Sequence, residues 1–115
     1  MSTATIDVSQ MRLAAQQACQ LLKALSNADR LMLVCQLSQG EKCVGELEEA
    51  LGITQPTLSQ QLGVLREHQI VQTRRDGKNI FYSIANPRAL ALIEVLYAQF
   101  CQACASSSSL SNSTP

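Results

Sequence analysis

The stretch Val44–Glu67, VGELEEALGITQPTLSQQLGVLRE, followed closely by Ile70–Ile84, IVQTRRDGKNIFYSI, decides the fold. Val44, Leu47 and Leu51 recur at helical spacing, and Gly52 ends that run. Gly52-Ile53-Thr54 then makes a three-residue turn, with Thr54 a candidate N-cap and Pro56 suited to the first turn of the next helix. In that helix Leu58, Leu62 and Leu65 point one way, while Gln55, Thr57, Ser59, Gln60 and Gln61 populate the other faces. After Ile70 the period shortens to two, with Ile80, Tyr82 and Ile84 alternating, and Asp76-Gly77 between the two runs predicts a β-hairpin. A short helix, a tight turn, a polar-faced helix and a two-stranded ribbon in that order predict a winged helix-turn-helix.

Working outward, Ala14, Ala18, Leu21, Leu22 and Leu25 form one apolar stripe of a first helix. Ser26 and Asn27 suit its end and the cap of a second helix, whose first turn holds Asp29 where the helix dipole favours it. Leu31 to Leu37 is nearly all apolar, so the second helix is the predicted centre of the core, and Gly40 stops it. Asn86 and Pro87 open a last helix with a stripe of Ala89, Ile93, Leu96, Tyr97, Phe100 and Cys104. The fold class is therefore mainly α with a two-stranded β-hairpin, in the order α-α-α-α-β-β-α. The domain spans 11–104, between a small polar tail at 1–10 and a Ser-rich tail at 105–115, ASSSSLSNSTP, both expected to be poorly ordered.

The chain has 115 residues, enough for one small domain, and 46% of them are hydrophobic, enough for a core. Nine basic residues balance nine acidic ones, which argues against a globally basic nucleic-acid coat or a polybasic membrane binder. The charge is nevertheless unevenly placed. Residues 54–88 hold Arg66, Arg74, Arg75, Lys78 and Arg88 against Glu67 and Asp76, a net +3, so the remainder carries −3. Amides and hydroxyls on the fourth helix suit base edges, and Gly63 permits close approach of another surface. The expected DNA contacts are Gln55, Thr57, Ser59, Gln60, Gln61, Arg66, Arg74, Arg75 and Lys78.

Five cysteines, Cys19, Cys35, Cys43, Cys101 and Cys104, cannot all pair within one chain. With no signal peptide at the start and no apolar run of roughly 18 residues, the expected location is the cytoplasm, with reduced thiols and no membrane partner. On residue type alone, Cys35 and Cys101 read more readily as buried packing residues than as a reactive pair. Cys43, at a helix N-terminus where the dipole lowers a thiol pKa, is either reactive or a poor cap. Cys101-Gln102-Ala103-Cys104 lies outside any strand-to-helix turn of a βαβ unit, and no base or phosphate-loop constellation accompanies it, so no enzyme is expected.

The segments LLKALSNADRLMLVCQL, VGELEEALGITQPTLSQQLGVLRE and IVQTRRDGKNIFYSI resemble the ArsR/SmtB family of winged-helix repressors. The resemblance implies a homodimer held by the first and last helices, which represses transcription until an inducer is sensed. Two recognition helices would then enter successive major grooves of an inverted repeat of double-stranded operator DNA, about 34 Å apart. It also bears on the inducer. The metal site of the last helix needs Asp and His pairs, and the chain has only His68. The arsenic-type site uses two cysteines two residues apart, and Cys43-Val44-Gly45 has Gly in the second position. No metal or cofactor is therefore expected, with an arsenic- or soft-metal-responsive repressor using Cys43 and other thiolates as the alternative.

Cys35 in LMLVCQL and Cys101 in YAQFCQAC stand in the two contexts used by the persulfide- and oxidant-responsive BigR/SqrR/HlyU subgroup. The resemblance implies that Cys35 and Cys101 are a sensing dithiol. A disulfide or polysulfide bridge between them would tie the second helix to the last and release the operator. Cys104 and Cys43 are possible additional participants, and Cys19 lies off the apolar stripe of its helix as a bystander.

Overall fold

The structure, a computed structural model, describes residues 7–101. Five helices and three short strands follow in the order α1 (Val8–Leu25), α2 (Ala28–Leu37), β1 (Lys42–Cys43), α3 (Val44–Leu51), α4 (Thr57–Glu67), β2 (Val71–Asp76), β3 (Asn79–Ile84) and α5 (Pro87–Phe100). Local chemistry accounts for most of the boundaries. Asn27 caps α2, its Oδ1 accepting from the Arg30 N–H at 3.0 Å. Asn86 caps α5, its Oδ1 accepting from the N–H groups of Arg88 at 2.8 Å and Ala89 at 3.3 Å, and Pro87 fills the first helical position. Gly52 ends α3 with φ 72°. Gly77 takes φ 66° at the first position of the two-residue turn between Asp76 and Asn79, which pair across the hairpin.

The winged helix-turn-helix expected from the sequence is the observed architecture, with differences at several edges. The sheet has three strands in the order β1-β3-β2, all antiparallel, because Lys42 and Cys43 pair with Tyr82 and Phe81. Helix α1 starts at Val8, so residues 8–10 are helical rather than tail. Helix α4 starts at Thr57, and the Thr54 side chain caps nothing. Instead the Gln55 Oε1 accepts from the Ser59 N–H at 3.1 Å and from its hydroxyl at 2.7 Å. Helix α5 ends at Phe100 and Cys101 is its C-cap, the Cys101 N–H donating to the Tyr97 carbonyl at 2.8 Å. Cys104 and the tail 105–115 lie outside the described residues.

The core joins α2, α3, α4, the base of the wing and the start of α5. Leu33, Val34, Leu47, Leu58, Leu62, Leu65, Ile70 and Ala89 are buried, and no polar side chain among the described residues is. Full burial of one such leucine contributes about 1.5–3 kcal/mol. The α1 stripe behaves differently from the sequence expectation. Leu25 is buried and Leu21 half-buried, but Ala14, Ala18 and Leu22 are exposed, because only the last turn of α1 rests on this core.

Candidate nucleic-acid interface and thiol pair

Helix α4 is seated by Leu58, Leu62 and Leu65, which leaves Ser59, Gln60, Gly63 and Arg66 on its exposed side. Thr57 and Gln61 are half-buried at its flank, and Gln61 Oε1 accepts from Arg30 Nη1 at 2.8 Å. Gln55 is spent on the α4 N-terminus through Ser59. The polar residues expected to read DNA therefore divide into some that face solvent and some that brace the helix.

The wing divides similarly. Val71 and Thr73 lie toward the core, while Gln72, Arg74 and Asp76 occupy the other face of β2. On that face Arg74 pairs across the sheet with Phe81, lies over its ring at 4.8 Å, and reaches Glu41 just ahead of β1. Arg74 Nε donates to Glu41 Oε2 at 2.9 Å and Nη2 to Oε1 at 2.7 Å, a bidentate pair, with Asp76 3.8 Å away. The hydrogen bonds from Arg74 hold the Glu41 carboxyl below the usual carboxylate range. Arg75 and Lys78 are exposed and, among the described residues, have no acidic side chain within ion-pair distance, so they carry the free positive charge of the wing. The Glu41 contact spans 33 residues of sequence, and no local pattern signals it.

The four described cysteines are free thiols. Cys35 on α2 and Cys101 at the end of α5 line one cavity of about 280 Å³, together with Leu31, Ile93, Leu96 and Phe100. Burial raises the Cys35 pKa, and the nearby Cys101 raises it further. Cys19 is exposed on α1, which contributes no residue to this cavity's lining. Cys43 caps α3: its N–H donates to Glu46 Oε1 at 2.9 Å, which with the Cys43 thiol keeps that carboxyl low. Among the described residues no three His, Cys, Asp or Glu side chains come together as a metal cluster. A larger cleft of about 560 Å³ lies between α1, the end of α4 and the start of α5, lined by His68 and Arg88 among others, and it contains no thiol.

The sequence pattern described as "Bacterial regulatory protein, arsR family" matches residues 27–73, from the cap of α2 into β2. A biofilm growth-associated repressor of Agrobacterium fabrum is 57% identical over 96 residues, covering 84% of this chain and 82% of the relative. The chain belongs to the arsR family. Among solved structures, the transcriptional repressor BigR of Xylella fastidiosa superposes with a TM-score of 0.77 at 53% identity, covering 84% of this chain and 98% of that one. Reduced HlyU of Vibrio cholerae superposes at 0.78 with 38% identity, covering 81% and 98%. This arsR-family chain is thus a DNA-binding regulator with the winged-helix fold of its relatives, and among the described residues no helix is long and apolar enough to cross a membrane.

Proposed function

We propose that this chain is a homodimeric transcriptional repressor of the cytoplasm that senses persulfides, polysulfides or oxidants through Cys35 and Cys101. The observation that carries the reading is the shared apolar cavity, which places one thiol from α2 and one from α5 on the same small space. The BigR of Xylella fastidiosa is itself a repressor, which supports repression here.

The chemistry balances with a low-molecular-weight persulfide, RSSH, as oxidant. A thiolate of the pair attacks the outer sulfur, forming a protein persulfide and releasing RSH. The second thiol attacks the protein-bound sulfur, closing the Cys35–Cys101 disulfide and expelling H2S. Two thiols lose two electrons, and the outer sulfur gains them as sulfide. The bridge fixes α2 to α5, and α2 packs against the reading helix α4, so a strained spacing biases the dimer away from DNA. A tenfold loss of operator affinity needs only about 1.4 kcal/mol of such bias. Ser59, Gln60, Arg66, Arg75 and Lys78 supply the direct contacts, with Thr57 and Arg74 at the margins, while Gln55 and Gln61 brace the reading helix from within the protein. The operator is an inverted repeat.

The test uses a duplex selected from a random pool by the reduced protein. Glutathione persulfide, hydrogen peroxide or arsenite is added, and intact-protein mass spectrometry follows each reaction. Release by persulfide together with a Cys35–Cys101 crosslink is the expected result. Normal release of the Cys35→Ser protein sinks the assignment, and release by arsenite alone supports a soft-metal sensor built on Cys43.

A further inference from the structure

Arg30, in the first turn of α2, joins three helices. Its Nε donates to the Ala24 carbonyl at 2.5 Å, and its Nη1 donates to Gln61 Oε1 at 2.8 Å. Its backbone N–H is meanwhile held by Asn27 Oδ1. Ala24 lies in the last turn of α1, where carbonyls have no partner within the helix and where the negative end of the helix dipole attracts a cation. Gln61 lies one turn into α4. An arginine has only donors, so the Gln61 amide is obliged to turn its oxygen toward Arg30.

Apolar seating does not supply what this contact supplies. Leu58, Leu62 and Leu65 hold α4 down, but apolar burial is non-directional, and the hydrogen bond adds a direction to it. Hydrogen bonds weaken steeply when misaligned, so a guanidinium anchored to α1 and gripping α4 from the side fixes the rotation of the helix. Base readout depends on that rotation, because it aims the exposed side chains at base edges. Phosphate contacts from the wing depend on it far less.

We infer that Arg30 is a positioning residue for sequence-specific recognition: acting through Gln61, it sets the rotation of the reading helix against α1 and α2. The inference rests on DNA binding alone and not on what the thiols sense. It requires that Arg30 and Gln61 act as one unit, and that specific binding suffers while non-specific binding does not.

Arg30→Met, Gln61→Met and the double variant are each titrated, in reduced form, against two duplexes of equal length. One is the duplex selected by the wild-type protein from a random pool, and the other is its scrambled version. Salt dependence and thermal melts accompany each titration. Each single variant should lose about tenfold in affinity for the selected duplex, as for a hydrogen bond to a charged group. The double variant should lose no more than either single one, while scrambled-duplex affinity and salt slope stay at wild-type values. Wild-type affinity in either single variant, fully additive losses, or equal losses on both duplexes would each overturn the inference. If Arg30→Met does not fold, Arg30→Lys replaces it in the same cycle, since one ammonium cannot reproduce the fork that spans both oxygens.

Discussion

At Cys35 the neighbours set the chemistry. Burial against α5 disfavours the thiolate, and the adjacent Cys101 disfavours it further. Alkylation of Cys35 by iodoacetamide, followed by mass spectrometry across a pH series, should therefore show a midpoint above the ordinary thiol value. Cys101→Ser should lower that midpoint only part way, because burial is the larger cause. A midpoint at or below the ordinary value would contradict this environment. The same shift has a sign for stability. The folded state binds this proton more tightly than the unfolded chain, so the stabilisation is complete below the ordinary thiol range. It is lost as pH rises through the folded value. Asn27 offers a second residue-scale prediction. Its Oδ1 satisfies the Arg30 N–H, so Asn27→Ala should cost about 1 kcal/mol in denaturant unfolding. An unchanged midpoint would mean that the cap is replaced by water. Caps of this kind are legible in the sequence because cap and helix are adjacent. The Gln61 partner of Arg30 and the Glu41 partner of Arg74 are not, since they lie 31 and 33 residues away and no local pattern encodes them.

Among the elements, the wing shows where sequence patterning succeeds and where it stops. Alternation of Ile80, Tyr82 and Ile84 around Asp76-Gly77 marks the hairpin, since a half-buried sheet imposes a period of two. Strand β1 has two residues, too few to display any period, and it exists because Phe81 and Tyr82 offer it a free edge. The polar face of α4 is legible as a face, but which of its members face solvent depends on Arg30 and on the Gln55 side chain. The wing's charge divides in the same way, and the division is measurable. Arg75 and Lys78 are free of acidic partners, whereas Arg74 is matched by Glu41. Replacing Arg75 and Lys78 together by Gln should reduce the slope of log affinity against log salt by about 1.8, or about 0.9 for each phosphate that is no longer neutralised. Arg74→Gln should reduce it by clearly less than the share of one phosphate. A larger effect from Arg74 than from Arg75 and Lys78 combined would reverse this division of the wing.

For the molecule as a whole, the balance of nine basic and nine acidic residues separates into a reading side and a remainder, with Glu41 the acidic member that crosses over to neutralise part of the wing. Apolar surface is distributed just as unevenly. Val8, Met11, Leu13 and Leu22 on α1, and Val95 and Phe100 on α5, remain between 50% and 82% exposed. Single exposed apolar residues are ordinary, but two helices bearing them, the first and the last described, leave a surface that a monomer gains nothing by exposing. In the homodimer proposed above, a second copy related by a two-fold axis covers such faces with themselves. Met11→Asp with Leu22→Asp should therefore shift the protein from dimer to monomer in sedimentation velocity at micromolar concentration. Circular dichroism should stay native, since neither side chain belongs to the core. Operator binding should fall by far more than any single contact explains, because the second half-site of an inverted repeat is engaged at an effective concentration set by the dimer. A wild-type protein that sediments as a monomer would overturn the homodimer, and a variant that remains a dimer would place the association surface elsewhere. Loss of native circular dichroism in the variant would instead mean that α1 belongs to the folding unit of each protomer and does not merely join two of them.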